Sequence, residues 1–247
     1  QAQILMYEIE QRIKYEIMLE FGLAGKIGRT LEKSNCSVIS FAVEDIIQIA
    51  ESVQERTINE LGVLTAENID SFKRMVIGYL NLMRTNGAIR DKVFDEYTIG
   101  DGKGYMQSND RDRWLAGRQS GRNTPHFIAE HIGNGRSSFE FDSPAANKYV
   151  DWISSCCNEL LVDNSIFQAI SRFILDEAVK LNVISLVPSS ANYKIYGLNK
   201  ERVFITDDVI QMRCDKCGSV YAVAAENAEL WIDAPCTRTA CSGFLEE

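Results

Sequence analysis

Cys214-Asp-Lys-Cys217-Gly218 and, further along the chain, Cys236-Thr-Arg-Thr-Ala-Cys241 are the stretches that decide the C-terminal fold. Two cysteine pairs brought together by antiparallel strands supply the four soft ligands that a tetrahedral zinc ion prefers. Gly218 follows the first pair, where the tight turn between two ligands often requires a positive φ. The spacing therefore predicts a zinc ribbon over residues 206–247, with one structural zinc ion per chain held by Cys214, Cys217, Cys236 and Cys241.

Two alternatives to this zinc site stay open at the level of sequence. A set of four cysteines also suits an iron–sulfur cluster, which spacing alone does not distinguish from zinc. The four side chains are, as a second alternative, simply buried or unpaired thiols. A closed set of four thiolates leaves no position for water, so a bound metal is expected to be structural rather than catalytic.

Composition places the chain among ordinary globular proteins and argues against several functional classes. It has 247 residues with a formal net charge of −9, and the acidic excess lies in residues 1–70 and 201–247. No apolar run reaches the roughly eighteen residues of a membrane span. Seven cysteines without a disulfide pattern favour a reducing, cytoplasmic location. The chain begins at Gln1 without a signal segment, so we expect a piece of a longer protein.

Hydrophobic periodicity predicts a mainly α-helical protein with small β elements. Gly22, Gly62 and Gly87 are typical of helix ends, and Thr65 and Asp163 or Asn164 are candidate N-caps. Residues 36–42 and 184–198 are rich in strand formers, the latter as a hairpin around Pro188. Helices are predicted over residues 2–21, 44–61, 65–86, 143–161 and 164–181.

Helix followed by β-hairpin is the closing half of a winged helix, and this pattern sets the predicted domain boundaries. Residues 1–62 form a helical segment, and residues 63–142 a helix with an irregular, Arg-rich region that leaves a further winged helix open. Residues 143–205 are expected to be winged-helix-like, and residues 206–247 are the zinc ribbon. The fold class predicted is therefore helical and winged-helix-like domains followed by a C-terminal zinc ribbon.

Basic residues concentrate in one irregular stretch of this acidic protein. Guanidinium groups beside aromatic and small residues suit a groove that follows a nucleic-acid strand, with phosphate contacts and base stacking. A solvated loop, or arginines paired with acids elsewhere, is the alternative. The candidate nucleic-acid-binding residues are Arg111, Arg113, Trp114, Arg118, Arg122 and Arg136.

No set of residues predicts a catalytic site. Asp176-Glu177-Ala178 begins like a helicase ATPase motif, but it lies in an amphipathic helix and the chain has no phosphate-binding loop. Gly100 to Gly104 lacks the flanking strand and helix of a dinucleotide site. His126 and His131 are the only histidines, and we expect them to have structural or surface roles. The chain alone is therefore predicted to be non-catalytic.

Three segments together resemble a known family. They are Ile27-Gly-Arg-Thr-Leu-Glu32 after Glu20-Phe-Gly-Leu23, Arg84-Thr-Asn-Gly-Ala-Ile89, and Asp233-Ala-Pro-Cys236 with Cys241-Ser-Gly-Phe-Leu-Glu246. They are similar to the C-terminal part of large bacterial DEAD/DEAH-box superfamily-2 helicases, the Lhr-like and MrfA-like repair enzymes and the Druantia-type helicases of phage defence. The resemblance implies a tandem ATPase motor elsewhere in the parent, followed by winged-helix and zinc-containing accessory regions.

Two classes of function follow from these patterns. The first is a non-catalytic nucleic-acid-binding accessory fragment of an ATP-dependent DNA helicase in genome defence or DNA repair. Its expected partners are single-stranded or partly duplex DNA and the motor domains of the parent chain, with no membrane. The second is a zinc-stabilised protein-interaction or scaffold module that does not bind nucleic acid directly, which the net charge of −9 favours.

Overall fold

The computed structural model describes residues 4–7, 30–65, 67–85, 88–90, 128–131, 144–157, 163–187, 193–238 and 241–247. Residues 4–7 are helical. The other α-helices are α1 (Thr30–Lys33), α2 (Val43–Arg56), α3 (Ile69–Thr85), α4 (Pro144–Cys156), α5 (Asn164–Lys180) and α6 (Ala228–Trp231). The strands are β1 (Val38–Phe41), β2 (Ile89–Arg90), β3 (Ile128–His131), β4 (Ile184–Val187), β5 (Tyr193–Asn199), β6 (Val203–Thr206), β7 (Val209–Cys214), β8 (Val220–Ala224) and β9 (Leu245–Glu246). These elements confirm the prediction of a mainly α protein with small β elements.

The predicted residues at the helix ends are confirmed at Gly62 and Asp163, but the predicted cap at Thr65 is wrong. Helix α2 continues through a π turn to Gly62, whose φ of 65° makes it the predicted left-handed stop. Asp163 caps α5 by accepting a hydrogen bond from the amide of Ser165 at 3.2 Å. Thr65, however, does not cap α3. Asn68 does, because its Oδ1 accepts a hydrogen bond from the amide of Ser71 at 3.0 Å.

Four helices enclose the main apolar core. Helix α3 packs against α2 and α4, and α5 packs against α2 and α4 from the other side. At the α3–α4 crossing the Trp152 ring lies against Gly78, and its Nε1 donates to the carbonyls of Arg74 and Met75 at 3.2 and 3.1 Å. Tyr79, fully buried, lies 2.8 Å through its hydroxyl from Ser171 of α5. These contacts fix the helices at close range.

Strand β5 is the centre of the largest sheet. Strand β4 pairs with it antiparallel on one edge, which confirms the predicted hairpin. On the other edge lie β3, antiparallel, and the two-residue β2, parallel, one after the other along β5. The chain therefore runs through strand β3, then the helix pair α4 and α5, and then the hairpin of β4 and β5. The three strands form an antiparallel sheet in the spatial order β3-β5-β4.

The cysteine-bearing C-terminal region is attached to the helices through β1 and α3. Strands β8, β7 and β9 form an antiparallel sheet in that order, and β1 pairs antiparallel with β6 beside it. Asn227 donates to the carbonyl of Phe41 at 3.1 Å, and the Ser40 hydroxyl lies 2.6 Å from its Oδ1. Arg74 of α3 donates to the carbonyl of Ile232 at 2.9 Å.

One continuous hydrophobic core joins the four long helices to the C-terminal region. It extends from Phe41 through the four long helices to Trp231 and Leu245 of the C-terminal region, and the rings of Trp152 and Trp231 lie 6.2 Å apart. The boundaries of the four predicted domains stay a prediction, but the described parts of those segments share this core. Within the described ranges, no helix has both the length and the apolar character needed to cross a membrane.

Candidate metal centre

The first cysteine pair lies in the turn between β7 and β8. Cys214 is the last residue of β7, where its amide donates to the carbonyl of Ser219 at 2.9 Å. The amide of Gly218 donates back to the carbonyl of Cys214 at 3.0 Å, and the φ of Gly218 is 67°. This tight turn also brings the amide of Cys217 within 3.5 Å of the Cys214 sulfur. The predicted glycine turn is thus confirmed.

The second pair lies in the loop that leads into β9. Cys236 donates its amide to the carbonyl of Gly243 at 2.9 Å, and Cys241 donates to the carbonyl of Arg238 at 3.1 Å. Strand β9 then pairs with β7, with Leu245 opposite Cys214. This register places the second loop directly beside the first turn. The hydrogen bond between Cys241 and Arg238 therefore lies within the second cysteine loop.

The four sulfur atoms match the geometry of a tetrahedral metal site. All four lie within 4.8 Å of one another. The sulfurs of Cys214 and Cys241 are 3.6 Å apart, and those of Cys217 and Cys236 are 3.7 Å apart. A tetrahedron with metal–sulfur bonds of about 2.3 Å has edges of about 3.8 Å. The cysteines are positioned to bind a metal ion, as the sequence predicted.

Hydrogen bonds and the neighbouring thiols shift the pKa values of Cys217 and Cys241 in opposite directions. The hydroxyl and amide of Ser219 stabilise the thiolate of Cys217 and lower its pKa to about 6. The hydrogen bond from the amide of Gly243 lowers the pKa of Cys241, but burial and the three neighbouring thiols together outweigh it and raise this pKa to about 12. Four thiolates at these distances repel one another strongly. A cation among them is what allows all four to be ionised together.

Several residues around the sulfurs position them, and spacing did not predict these roles. A Cβ at Gly243 would lie 2.5 Å from the sulfur of Cys214, so only glycine permits this approach. Asp215 accepts a hydrogen bond from the amide of Phe244 at 2.7 Å and ties the two loops together. The Tyr221 hydroxyl lies 3.1 Å from the sulfur of Cys236. Such outer contacts orient metal ligands and raise metal affinity.

The arrangement suits a structural site rather than a catalytic one. Cys214 and Cys236 are 1% and 8% exposed, and Cys217 and Cys241 are half-buried. Four protein ligands complete a tetrahedron, so no coordination position is left for a substrate or water. The site lies at the turn end of the β7–β8 hairpin, next to β9. A metal ion bound there would link the β7–β8 turn to the loop that leads into β9.

Of the other candidate residues, Asp176, Glu177 and His131 lie within the described ranges. Glu177 of the Asp176-Glu177 pair is buried and accepts hydrogen bonds from Arg56 at 3.0 Å and Lys180 at 2.7 Å, which is a structural role. His131 lies in β3 opposite Tyr193. Outside the described residues lie His126, the glycines of residues 100–104, and all of the predicted nucleic-acid-binding residues: Arg111, Arg113, Trp114, Arg118, Arg122 and Arg136.

A cleft between the helices and the C-terminal sheet is the second notable feature, and periodicity gave no indication of it. Its volume is about 260 Å³. At one wall Arg84, only 2% exposed, donates to both carboxylate oxygens of Glu32 at 2.6 and 3.2 Å and to Asn81. Thr237 and Leu245 form part of the opposite wall. The three segments that carry the family resemblance thus contribute residues to one cleft.

Comparison of the chain with protein-family models, curated protein sequences and solved structures found no match.

Proposed function

We propose that this chain is a zinc-stabilised, non-catalytic accessory region of an ATP-dependent DNA helicase, with a nucleic-acid contact in its Arg-rich segment. The observation that carries the proposal is the combination of a helix–helix–hairpin unit with a four-cysteine sheet on one core. Bacterial genome defence or DNA repair is the setting that the family resemblance implies. The motor domains of a parent chain would supply the ATPase activity.

The chain order of the central unit supports a winged-helix assignment. A winged helix has a first strand, two helices and a hairpin whose second strand lies between the other two. Here β3, α4, α5, β4 and β5 follow in that order, and β5 lies between β3 and β4. Helix α3 precedes this unit and packs on α4, as the first helix of such a domain does. Helix α5 corresponds to the helix that commonly enters the DNA major groove.

Contacts of α5 argue that it does not serve this chain as a recognition helix. Helix α2 covers one of its faces, and the Arg56 guanidinium lies 3.9 Å from the centre of the Phe173 ring. Arg56 also forms ion pairs with Asp176 and Glu177 at 3.3 and 3.0 Å. A helix face engaged in these contacts is not accessible to a DNA groove. We therefore assign nucleic-acid binding to another part of the chain.

The Arg-rich segment, which the sequence places at residues 111–136 around β3, is the remaining candidate. Strand β2 ends at Arg90, opposite Asn199 of β5, and β3 begins at Ile128, opposite Tyr196. Three residues along a strand span about 10 Å. Arg90 and Ile128, the described residues on either side of residues 91–127, therefore lie near each other along the same edge of β5.

Zinc is the metal that we assign to the four-cysteine site. The sulfur–sulfur distances of 3.6 and 3.7 Å match the edge of a tetrahedron around one ion. Bound there, zinc would supply folding free energy and no reaction chemistry. Cys214 and Cys217 would hold it from the β7–β8 turn, and Cys236 and Cys241 from the second loop.

The test of this proposal is a salt-dependent titration with single-stranded DNA. Each phosphate contact releases counterions, so log affinity should fall linearly with log salt concentration. We expect the joint variant Arg113→Ala, Arg118→Ala, Arg122→Ala to bind much more weakly at low salt and to give a shallower slope. Unchanged affinity in a variant shown to be folded would exclude the segment as the binding site.

A control variant removes the same number of positive charges elsewhere. Arg172, Lys194 and Arg213 are exposed on α5, β5 and β7. Their joint replacement by alanine changes the net charge equally but leaves residues 91–127 intact. We expect this control to retain most of the affinity and slope of the wild type. Equal losses in both variants would indicate a general charge effect rather than a site.

The second candidate function is a protein-interaction or scaffold module. Acidic side chains outnumber basic ones among the described residues, as they do in the chain as a whole. Such a surface repels nucleic acid and attracts basic protein partners. A titration in which neither single-stranded nor partly duplex DNA binds at low salt would favour this second function. The zinc site would then support a docking surface.

A further inference from the structure

The cleft between the helices and the C-terminal sheet is separate from the metal centre. None of the four cysteines is among the described residues that line it. Its volume of about 260 Å³ is slightly below the roughly 300–1,000 Å³ that is typical of sites for drug-sized ligands. The cleft therefore has room for one small ring with few substituents.

Helix α3 presents a fixed hydrogen-bond donor at the wall of this cleft. Arg84 donates from Nε and Nη2 to Oδ1 of Asn81 at 3.0 and 2.7 Å. A guanidinium has donors only, so the oxygen of the Asn81 amide faces Arg84 and Nδ2 faces away from it. Asn81 is half-buried, and among the described residues its Nδ2 has no hydrogen-bond partner. A ligand in the cleft therefore meets a donor at Asn81 and must offer an acceptor.

The charges along the cleft favour an uncharged ligand. Arg84 is 2% exposed, and it donates from Nη1 and Nη2 to the Glu32 carboxylate at 2.6 and 3.2 Å. Glu32 and Asn81 together engage four of its five N–H groups, and the ion pair neutralises its charge. Arg84 is therefore a positioning residue for Asn81 and not a receptor for an anion. Lys33, the other charged residue among the described lining, is exposed.

Aromatic and amide side chains in the lining favour a flat, polar ring. Phe41 and Trp231 are buried, and Tyr221 is half-buried. Such rings offer surfaces on which a heteroaromatic ring stacks. Asn35 adds a second half-buried amide, which has both a donor and an acceptor. A ring edge on which carbonyl acceptors alternate with an N–H donor is complementary to these groups.

We propose that this cleft binds one thymine- or uracil-type base, an uncharged flat ring with a carbonyl group that accepts a hydrogen bond from Nδ2 of Asn81. The base comes either from a free nucleoside or from a single-stranded nucleic acid. Binding of a free nucleoside is independent of the proposed function, whereas binding of a base within a strand rests on it. Thymidine should bind weakly, at about 0.1–1 mM, because a ligand of this size makes few contacts.

Titration of the full, metal-loaded chain with thymidine, followed by ligand-observed NMR, tests the site. The matched probe is the difluorotoluene analogue of thymidine, which has the same shape but lacks strong hydrogen-bond acceptors. Thymidine should bind about tenfold more tightly than the analogue, because only thymidine accepts the hydrogen bond from Asn81. Equal binding of the two compounds would mean that the cleft recognises shape alone, which overturns the proposal.

Two variants locate the binding in the cleft. Asn81→Asp keeps the oxygen that Arg84 contacts but replaces the donor by an acceptor, so thymidine should bind about tenfold more weakly and the analogue as before. Asn164→Asp is the matched control, because Asn164 is exposed at the start of α5 and is not among the described residues that line the cleft. Ala222→Leu, which fills the cleft from β8, should weaken the binding of both compounds.

Thermal denaturation checks that each variant is folded. Wild-type affinity for thymidine in folded Asn81→Asp or in folded Ala222→Leu would overturn the assignment of the site. A variant that does not fold leaves the other to decide.

A short oligothymidylate distinguishes the two sources of the base. If a strand supplies it, the oligonucleotide should compete with thymidine, and Asn81→Asp should weaken its binding without changing the salt slope, since Asn81 contacts no phosphate. The variant Arg113→Ala, Arg118→Ala, Arg122→Ala should then lose oligonucleotide affinity and retain thymidine affinity. Thymidine that binds without competition identifies a free nucleoside as the ligand. Absence of binding by both thymidine and the oligonucleotide overturns the proposal.

Discussion

Replacement of Gly243 by alanine tests whether the cysteine cluster holds a metal in the geometry described. The added Cβ would lie 2.5 Å from the Cys214 sulfur and 2.5 Å from Oδ1 of Asp215. Ordinary carbon contacts begin at about 3.4 Å, so both groups, or the backbone at Gly243, must move by about 0.9 Å. Metal–ligand distances tolerate deviations of only about 0.2 Å. Because Cys214 lies at the end of β7 and would also be held by a bound metal, the clash should distort the site.

We expect Gly243→Ala to lower zinc affinity by about 10–100-fold, the range typical for loss of contacts that orient ligands. The assay is competition against a chromophoric chelator with reduced protein, after elemental analysis has established one zinc per wild-type chain. Circular dichroism checks that the variant is folded. Wild-type zinc affinity in the folded variant would show that the Cβ does not displace the sulfur of Cys214. Wild-type protein that binds no metal would show that the four cysteines are not a metal site.

Gly218 provides the matched control, because it is required for a different physical reason. Its φ of 67° needs a residue that tolerates the left-handed region, but an added Cβ would come no closer than 3.6 Å to another side chain. Asparagine adopts this conformation more readily than other non-glycine residues. Gly218→Asn should therefore bind zinc within a few-fold of wild type. A loss equal to that of Gly243→Ala would indicate that general strain, and not the contact with sulfur, controls affinity.

Two further predictions concern the helical core. Gly78→Ala should lower the free energy of unfolding by about 2 kcal/mol, because the added Cβ would lie 1.9 Å from the Trp152 ring. This loss should exceed the gain of about 1 kcal/mol from the higher helix propensity of alanine. Urea denaturation measures this, and a stabilised variant would contradict the close packing. Arg56→Ala should lower the free energy of unfolding by about 2–3 kcal/mol. Among the described residues, it leaves the buried Glu177 with Lys180 as its remaining cationic partner, and it removes a cation–π contact. The double variant Arg56→Ala, Glu177→Gln should recover part of the loss, and no recovery would argue against the ion pair.

The sequence alone predicted those features whose physical cause lies within a few neighbouring residues. The stop at Gly62 depends on one residue's φ, and the cap at Asp163 depends on an amide two residues away. The same holds for the turn that brings Cys217 to Cys214. Thr65 was wrong as a cap for a related reason. Several residues near it are able to cap a helix, and the helix begins only after Asn68, whose Oδ1 accepts the hydrogen bond from the amide of Ser71.

The sequence by itself determined the helical character of the chain, the hairpin at residues 184–198 and the four ligands of a metal site, because periodicity, turn residues and cysteine spacing act over a few positions. Only the tertiary structure decided which residues from different elements contact each other. Arg84 meets Glu32 across 52 positions, and Arg56 meets Glu177 across 121. The glycine required at Gly243 follows from its distance to a sulfur atom on another strand. Such contacts join residues far apart in the chain, so their energies depend on the packing of whole elements, which no local pattern contains.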